Sequence, residues 1–249
     1  MAIIQKYGRK WPGFTPLDVE LRCFAAGLSV EDGGLGKAGH FKEAVRLIWP
    51  PGCSKNFVWH PWADEMLEKA CAYRYLSVSG CASSGKSEFF GVWGIVNWLA
   101  APMETMVLVT STSLKESRKH IWGVIEDWWR AAVPGLPGFL VSSIGVIRLQ
   151  DPVTGFVASE RSGITLLAGE KRKEKEAIGK LIGIKNKRVF LIADELPELS
   201  MALLEAAMSN LESNPYFQLI GIGNPASIYD PHGALSKPKN GWKSITPCR

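Results

Sequence analysis

Residues 75–87, Tyr-Leu-Ser-Val-Ser-Gly-Cys-Ala-Ser-Ser-Gly-Lys-Ser, constrain the chain more than any other stretch. The apolar run at 76–78 reads as a buried strand. Gly80, four further residues, then Gly85, Lys86 and Ser87 fill the pattern GxxxxGK[ST] without a mismatch. Residues 88–100 follow as an apolar segment of helical length. A phosphate chain needs several backbone N–H donors aimed at one place. A strand, a glycine loop and a helix in this order supply them. The sequence predicts that Gly80 and Gly85 both give φ > 0 and close approach. The helix starting near Lys86 adds its positive N-terminal end. On this reading the loop residues Cys81, Ala82, Ser83 and Ser84 surround the phosphates of ATP and Lys86 reaches the β- and γ-phosphates. The Ser87 hydroxyl holds Mg²⁺, a hard cation that prefers oxygen. A Gly/Ser-rich turn before an ordinary helix is the alternative, and the flanking strand and helix argue against it.

The 249 residues suffice for one large α/β domain with small attachments and a proper core. The net charge of +5 permits a nucleic-acid partner without requiring one. Cys23, Cys53, Cys71, Cys81 and Cys248 are scattered, odd in number and form no CxxC pair, which reads as free thiols in a reducing compartment. The four histidines stand apart, which argues against a zinc site. The N-terminus lacks the charged-then-apolar layout of a signal peptide. The most apolar run, 89–103, is too short to span a bilayer and is broken by Pro102, so no membrane partner is expected. No repeat or low-complexity segment is visible.

Thr15-Pro16-Leu17-Asp18 reads as a cap into a short helix ending near Phe24. Gly33, Gly34, Gly36 and Gly39 read as a flexible loop, and Pro50-Pro51-Gly52 as a second break. The region 1–55 is expected to be an N-terminal arm or lid. Ahead of the phosphate loop, Trp59 and Trp62 are candidate adenine contacts, since an aromatic face stacks on a base; packing of their helix on the sheet is the alternative. Residues 106–110 read as the second strand, with a helix over 114–132. Ligands sit at the carboxyl ends of strands in open α/β sheets. Ser111 and Thr112, with Lys115 and Arg118, therefore stand as candidates to face phosphate or DNA backbone, against simple N-capping by Thr112 or Ser113. Residues 139–168 read as a β-hairpin turning at 151–155, followed by a strand at 164–167. The basic stretch 169–188 offers Lys171, Arg172, Lys173 and Lys175 as candidate DNA contacts; a solvated charged face is the equal alternative.

Residues 189–195, Val-Phe-Leu-Ile-Ala-Asp-Glu, give the second strong signal. A fully buried parallel strand reads as a near-continuous apolar run. Its carboxyl end is expected to place Asp194 beside the phosphate loop as a Mg²⁺ ligand, and Glu195 as the base that orients the attacking water. Residues 203–211 read as a helix. Residues 218–223 form another buried strand, followed by Asn224-Pro225, where a polar amide could sense the γ-phosphate.

The phosphate loop, the strand ending Asp194-Glu195 and the strand ending Gly223-Asn224-Pro225 together resemble the ATPase domain of the large terminase subunit of tailed bacteriophages, over residues 56–231. The resemblance implies an α/β P-loop NTPase of the additional-strand, catalytic-glutamate (ASCE) type. Its central sheet is mostly parallel and flanked by helices, here with a β-hairpin insertion. It implies Mg²⁺-dependent ATP hydrolysis that drives double-stranded viral DNA into a procapsid, in the host cell cytoplasm. The implied partners are DNA, the portal protein, the small terminase subunit and further copies of the chain in a homo-oligomeric ring, with a monomer expected in isolation. Lys86 and Glu195 are then the catalytic pair, and Gly223 and Asn224 belong to the motif coupling hydrolysis to DNA movement.

The sequence departs from that pattern in three places. Cys81, Ala82 and Ser83 stand where many terminases carry an arginine inside the loop, and Ala63 follows Pro61-Trp62 where a glutamine is usual. The trans-acting arginine before the carboxylate strand has no obvious counterpart. The candidates are Lys180, Lys185, Arg118, Arg161, Arg172 and Arg188. The family's C-terminal nuclease is not expected here: residues 232–249 read as a linker or the start of that domain, and no nuclease activity is expected from this chain. A superfamily-2-type helicase or translocase, and an ATP-dependent docking module with little turnover, are the rival readings.

Overall fold

The apolar runs become strands of one sheet. The computed structural model describes residues 15–113, 118–151, 153–159, 161–168, 179, 183–184, 186–211 and 214–237. The strands are β1 (Tyr75–Val78), β2 (Thr105–Ser111), β3 (Phe139–Val141), β4 (Val146–Arg148), β5 (Gly163–Ala168), β6 (Arg188–Ala193) and β7 (Phe217–Ile222). Their order across the seven-stranded sheet is β1-β7-β6-β2-β5-β4-β3. The first five are parallel; β4 and β3 close the edge as an antiparallel hairpin.

Alternate strand residues face opposite ways, and both faces are covered. Val107, Val109, Phe190, Ile192, Ile220 and Ile222 meet one helical layer, made of α1 (Pro16–Ala26), α2 (Gly36–Ile48), α3 (Pro61–Ala72), α4 (Lys86–Ala100) and α5 (Ile121–Ala131). Met106, Leu108, Val189, Leu191 and Leu219 meet the other, made of a single 3-10 turn (Leu196–Glu198), α6 (Met201–Leu211) and α7 (Pro231–Ser236). Two-sided burial is why these strands read as unbroken apolar runs. Helix α4 lies in the middle of the first layer and is buried from Phe89 to Leu99, so apart from Asn97 it too is apolar all round.

Several sequence expectations change. The glycines at 33–39 do not all belong to a loop: Gly36 and Gly39 lie in α2, whose Phe41, Ala44, Val45 and Ile48 fall at helical spacing and are buried. Helix α1 starts as expected, with a reciprocal box in which Thr15 Oγ1 accepts from the Asp18 N–H and the Asp18 carboxylate accepts from the Thr15 N–H. Both helices enter the same core as the sheet, with Phe24 edge-on to Trp93 of α4. The hairpin turns at residues 142–145, where Gly145 takes φ 68°, and not at Asp151. The Asp151 turn closes a lone bridge between Gln150 and Val157. Helix α5 is preceded by His120 at its cap with no side-chain capping bond; the expected helix start at 114, with capping by Thr112 or Ser113, lies outside the described residues. Residues 232–236, expected to start a linker, form α7 and pack back on β1 and β7. Among the described residues no helix is long and apolar enough to cross a membrane.

One buried side chain ties the layers together. Gln218 on β7 accepts from Trp93 Nε1 of α4 at 2.9 Å and donates to the carbonyls of Ala70 and Tyr73 at 2.8 Å each. All its hydrogen-bonding roles visible here are filled, as a buried amide requires. It fixes α3 and α4 against the strand next to β1.

Candidate nucleotide-binding site

The loop after β1 closes onto the first turn of α4 as the sequence predicts, with one change in how it bends. Gly85 caps α4 in the left-handed conformation at φ 82°. The second left-handed residue is Ser83 at φ 62°, and Gly80 is not one. At Gly80 a Cβ would stand 3.2 Å from Ser84 Oγ, a tight contact with a rotatable hydroxyl, and an ordinary 3.6 Å from Lys86 Nζ. Lys86 folds into the loop and donates to the carbonyls of Gly80 (2.7 Å) and Cys81 (2.9 Å) and to Ser84 Oγ (3.0 Å). The Gly80 N–H donates to Asn224 Oδ1 at 2.9 Å. A residue singled out for coupling thus touches the loop directly.

Beside the loop lies a cleft of about 1050 Å³ between β1 and α3. Its walls include His60, Trp62, Tyr73, Ser79, Gly80, Cys81 and the loop from Ser83 to Lys86. Trp62 is 66% exposed and lines the cleft. Trp59 does not: it packs on Phe57 (ring centroids 4.7 Å apart) and Phe41 (6.3 Å), with Lys42 over its face at 4.9 Å. Of the two tryptophans, only Trp62 remains placed to meet a base.

The carboxylates sit two strands away, at the carboxyl end of β6, with β7 between β6 and β1. Asp194 is 3% exposed. Its N–H donates to the Thr110 carbonyl at 2.8 Å. Its carboxylate accepts from the backbone N–H groups of Glu195 and Ile121, at the start of α5. Burial, with the neighbouring Glu195 carboxylate, still pushes Asp194 up to about 6, against a smaller downward pull from His120 and those N–H groups. Glu195 is exposed and left-handed at φ 51°, an uncommon conformation for a residue with a side chain. The buried hydroxyls of Thr110 and Ser111, at the carboxyl end of β2, hydrogen-bond to no described residue. No cluster of three or more His, Cys, Asp or Glu stands ready for a metal among the described residues. Mg²⁺ keeps several waters and takes one or two carboxylates plus substrate oxygens. The Asp194 carboxylate and the Ser87 hydroxyl are oxygen donors of that kind.

The other candidates separate. Arg188 is at the opposite end of β6. It is half-buried, donates to the Asn97 carbonyl and side chain and to Thr105 Oγ1, and lies over Phe190. Burial lowers it to about 10. It is a structural arginine and is withdrawn from the trans-acting candidates. Arg118 is exposed but donates to the Ser143 carbonyl of the hairpin turn at 2.6 Å. Arg161 is exposed. Ser111 is fully buried, which removes it as a backbone-facing hydroxyl. Lys115, Lys171, Arg172, Lys173, Lys175, Lys180 and Lys185 lie outside the described residues.

Sequence reasoning passed over two histidines. His60 caps α3 and borders Gly85. His232 of α7 is completely buried behind β1, where Nε2 shares hydrogen bonds with the hydroxyls of Ser77 (2.9 Å) and Ser79 (3.0 Å). Their only signals were local: each stands beside a proline at a helix start, His60-Pro61 and Pro231-His232.

No family model matches the chain, and no curated protein matches it either. Solved structures do match. Two crystal forms of the large terminase from a thermophilic bacteriophage align with it. One is 15% identical over 66% of this chain and 36% of that chain, with a TM-score of 0.44. The other is 13% identical over 69% and 37%, with a TM-score of 0.43. The chain spans 36–37% of the length of the terminases it matches.

Proposed function

We propose that this chain binds Mg²⁺·ATP in the cleft beside the loop and hydrolyses it as the motor domain of a large terminase, driving duplex viral DNA into a procapsid. The observation that carries the reading is the bond from the Gly80 N–H to Asn224. It joins a phosphate loop of matching sequence to the strand end that the terminase pattern assigns to coupling. Lys86 exchanges its loop carbonyls for the β- and γ-phosphate oxygens, and the loop amides take the remaining charge. Ser87 and Asp194 hold Mg²⁺, which when bound neutralises phosphate charge and would restore Asp194 to its ionised form. Glu195, exposed at its strand end, orients and deprotonates the attacking water. Trp62 stacks on the adenine.

A neighbouring copy in a ring supplies the transition-state cation from among Arg118, Arg161, Arg172, Lys180 and Lys185. Lys171, Arg172, Lys173 and Lys175 contact DNA phosphates, and the portal and small subunit complete the machine in the host cytoplasm.

The test is ATP turnover with Mg²⁺, for the wild type and Glu195→Gln side by side, at high protein concentration, with and without duplex DNA at low salt. The wild type should turn over faster as its concentration rises, and duplex should stimulate it. Glu195→Gln should still bind ATP and lose about a hundred-fold or more in rate. Equal rates remove Glu195 as the base, and a wild type that binds no ATP removes the proposal.

A further inference from the structure

We propose that His60 is a nucleotide contact, donating its Nε2–H to an oxygen of the bound phosphate chain. This rests on the nucleotide reading above and adds a donor from a third direction. His60 is extended (φ −141°, ψ 165°) and caps α3, its Nδ1 accepting from the Ala63 N–H at 3.3 Å. A neutral imidazole that accepts at Nδ1 carries its proton on Nε2. That donor has no hydrogen-bond partner among the described residues. It faces the loop: a Cβ on Gly85 would stand 3.5 Å from Nε2 and 3.9 Å from Cε1. Gly85 is the residue from which α4 starts, where the free N–H groups of that helix converge. His60, Gly85 and Lys86 line one cleft.

The three groups are complementary. The amides of the loop and of the first turn of α4 approach a phosphate along the helix axis. Lys86 approaches from inside the loop, where its ammonium already meets two carbonyls. His60 approaches from α3 across Gly85. The capping bond to Ala63 fixes the ring's tautomer and so aims the donor, as second partners of imidazoles commonly do. The ligand chemistry is that of a phosphate oxygen, a strong acceptor for a neutral N–H.

The variant that separates contact from capping is His60→Asn. Asparagine is a preferred helix cap, so α3 keeps its first turn, but its side chain is too short to reach across Gly85. Binding of ATP and of inorganic tripolyphosphate to the full chain would be measured by calorimetry, with melting temperature as the check on folding. His60→Asn should melt as the wild type does and bind both probes about ten-fold more weakly, the worth of one charge-assisted hydrogen bond. His60→Asp, which also caps well, should bind both more weakly still, because it sets a carboxylate against the phosphates. Unchanged affinity in His60→Asn, with a wild type that binds, overturns this contact alone. Loss for ATP but not tripolyphosphate overturns the phosphate assignment in favour of the sugar or base. A wild type that binds neither probe overturns the nucleotide reading beneath it.

Discussion

Asp194 and Glu195 are adjacent in sequence and opposite in environment. Asp194 is buried and its carboxyl is pushed up to about 6 from 3.8; Glu195 is exposed on a left-handed turn. The raised value has a stability consequence with a definite sign. The folded state holds the Asp194 proton more tightly than the unfolded chain does. The fold therefore loses stability as pH rises through about 4 to 6, and the full cost is present above 6. Asp194→Asn should melt higher than the wild type at pH 7.5, with the advantage gone by about pH 4, and should lose Mg²⁺-dependent turnover at every pH. Melting curves at the two pH values check the first part and a turnover assay the second. A lower melting temperature at pH 7.5 would contradict the argument that burial dominates this carboxyl.

At the scale of elements, the unexpected one is α7. Six residues do not form a stable helix alone. Asp230 makes it possible by accepting from the N–H groups of Ala226 and Ser227 (2.8 Å each) and of Gly233 (2.7 Å). His232 and Ser236 then bond to Ser77 on β1, and Ser236 Oγ also donates to the His232 carbonyl. Burial first, and Lys86 to a lesser degree, keep the His232 ring below the usual histidine range against the pull of Asp230, so it stays neutral at neutral pH. With Asn224 on Gly80, the segment after β7 thus grips both β1 and the loop that follows it. Gly233 is the tight point: a Cβ there would lie 2.0 Å from the Ser227 carbonyl oxygen and 2.8 Å from Ile228 Cα, both backbone. Gly233→Ala should destabilise the fold by about 2 kcal/mol or more and weaken ATP binding along with it. Denaturant midpoints and a binding titration would show this. Weaker folding with untouched ATP affinity would mean that α7 supports the sheet but not the loop.

Across the whole molecule, residues 15–49 are part of the main core. Leu21, Phe24, Phe41, Ala44, Val45, Ile48 and Trp49 are buried in the same cluster as α4 and the sheet, and Trp49 Nε1 donates to the Trp128 carbonyl at 2.8 Å. Deleting residues 1–55 should therefore strip one face of α4, abolish cooperative melting and expose dye-binding apolar surface. A truncated protein with a sharp melting transition would show instead that these helices are a separable arm. What the sequence by itself determined were the features written in consecutive residues. The phosphate loop needs its glycines, lysine and serine within eight positions, and strands buried on both faces need unbroken apolar runs, so β1, β2, β5, β6, β7 and α4 were legible. The tertiary structure decided what depends on partners far along the chain. Asn224 reaches Gly80 across 144 residues, and β7 inserts between the loop strand and the carboxylate strand. Trp59 is taken by Phe57 and Phe41, and Arg188 by Asn97, while His60 is turned toward Gly85. Helix α2 was obscured because Gly36 and Gly39 are poor helix formers, and only burial of the face from Phe41 to Ile48 against α1 and α4 outweighs that preference.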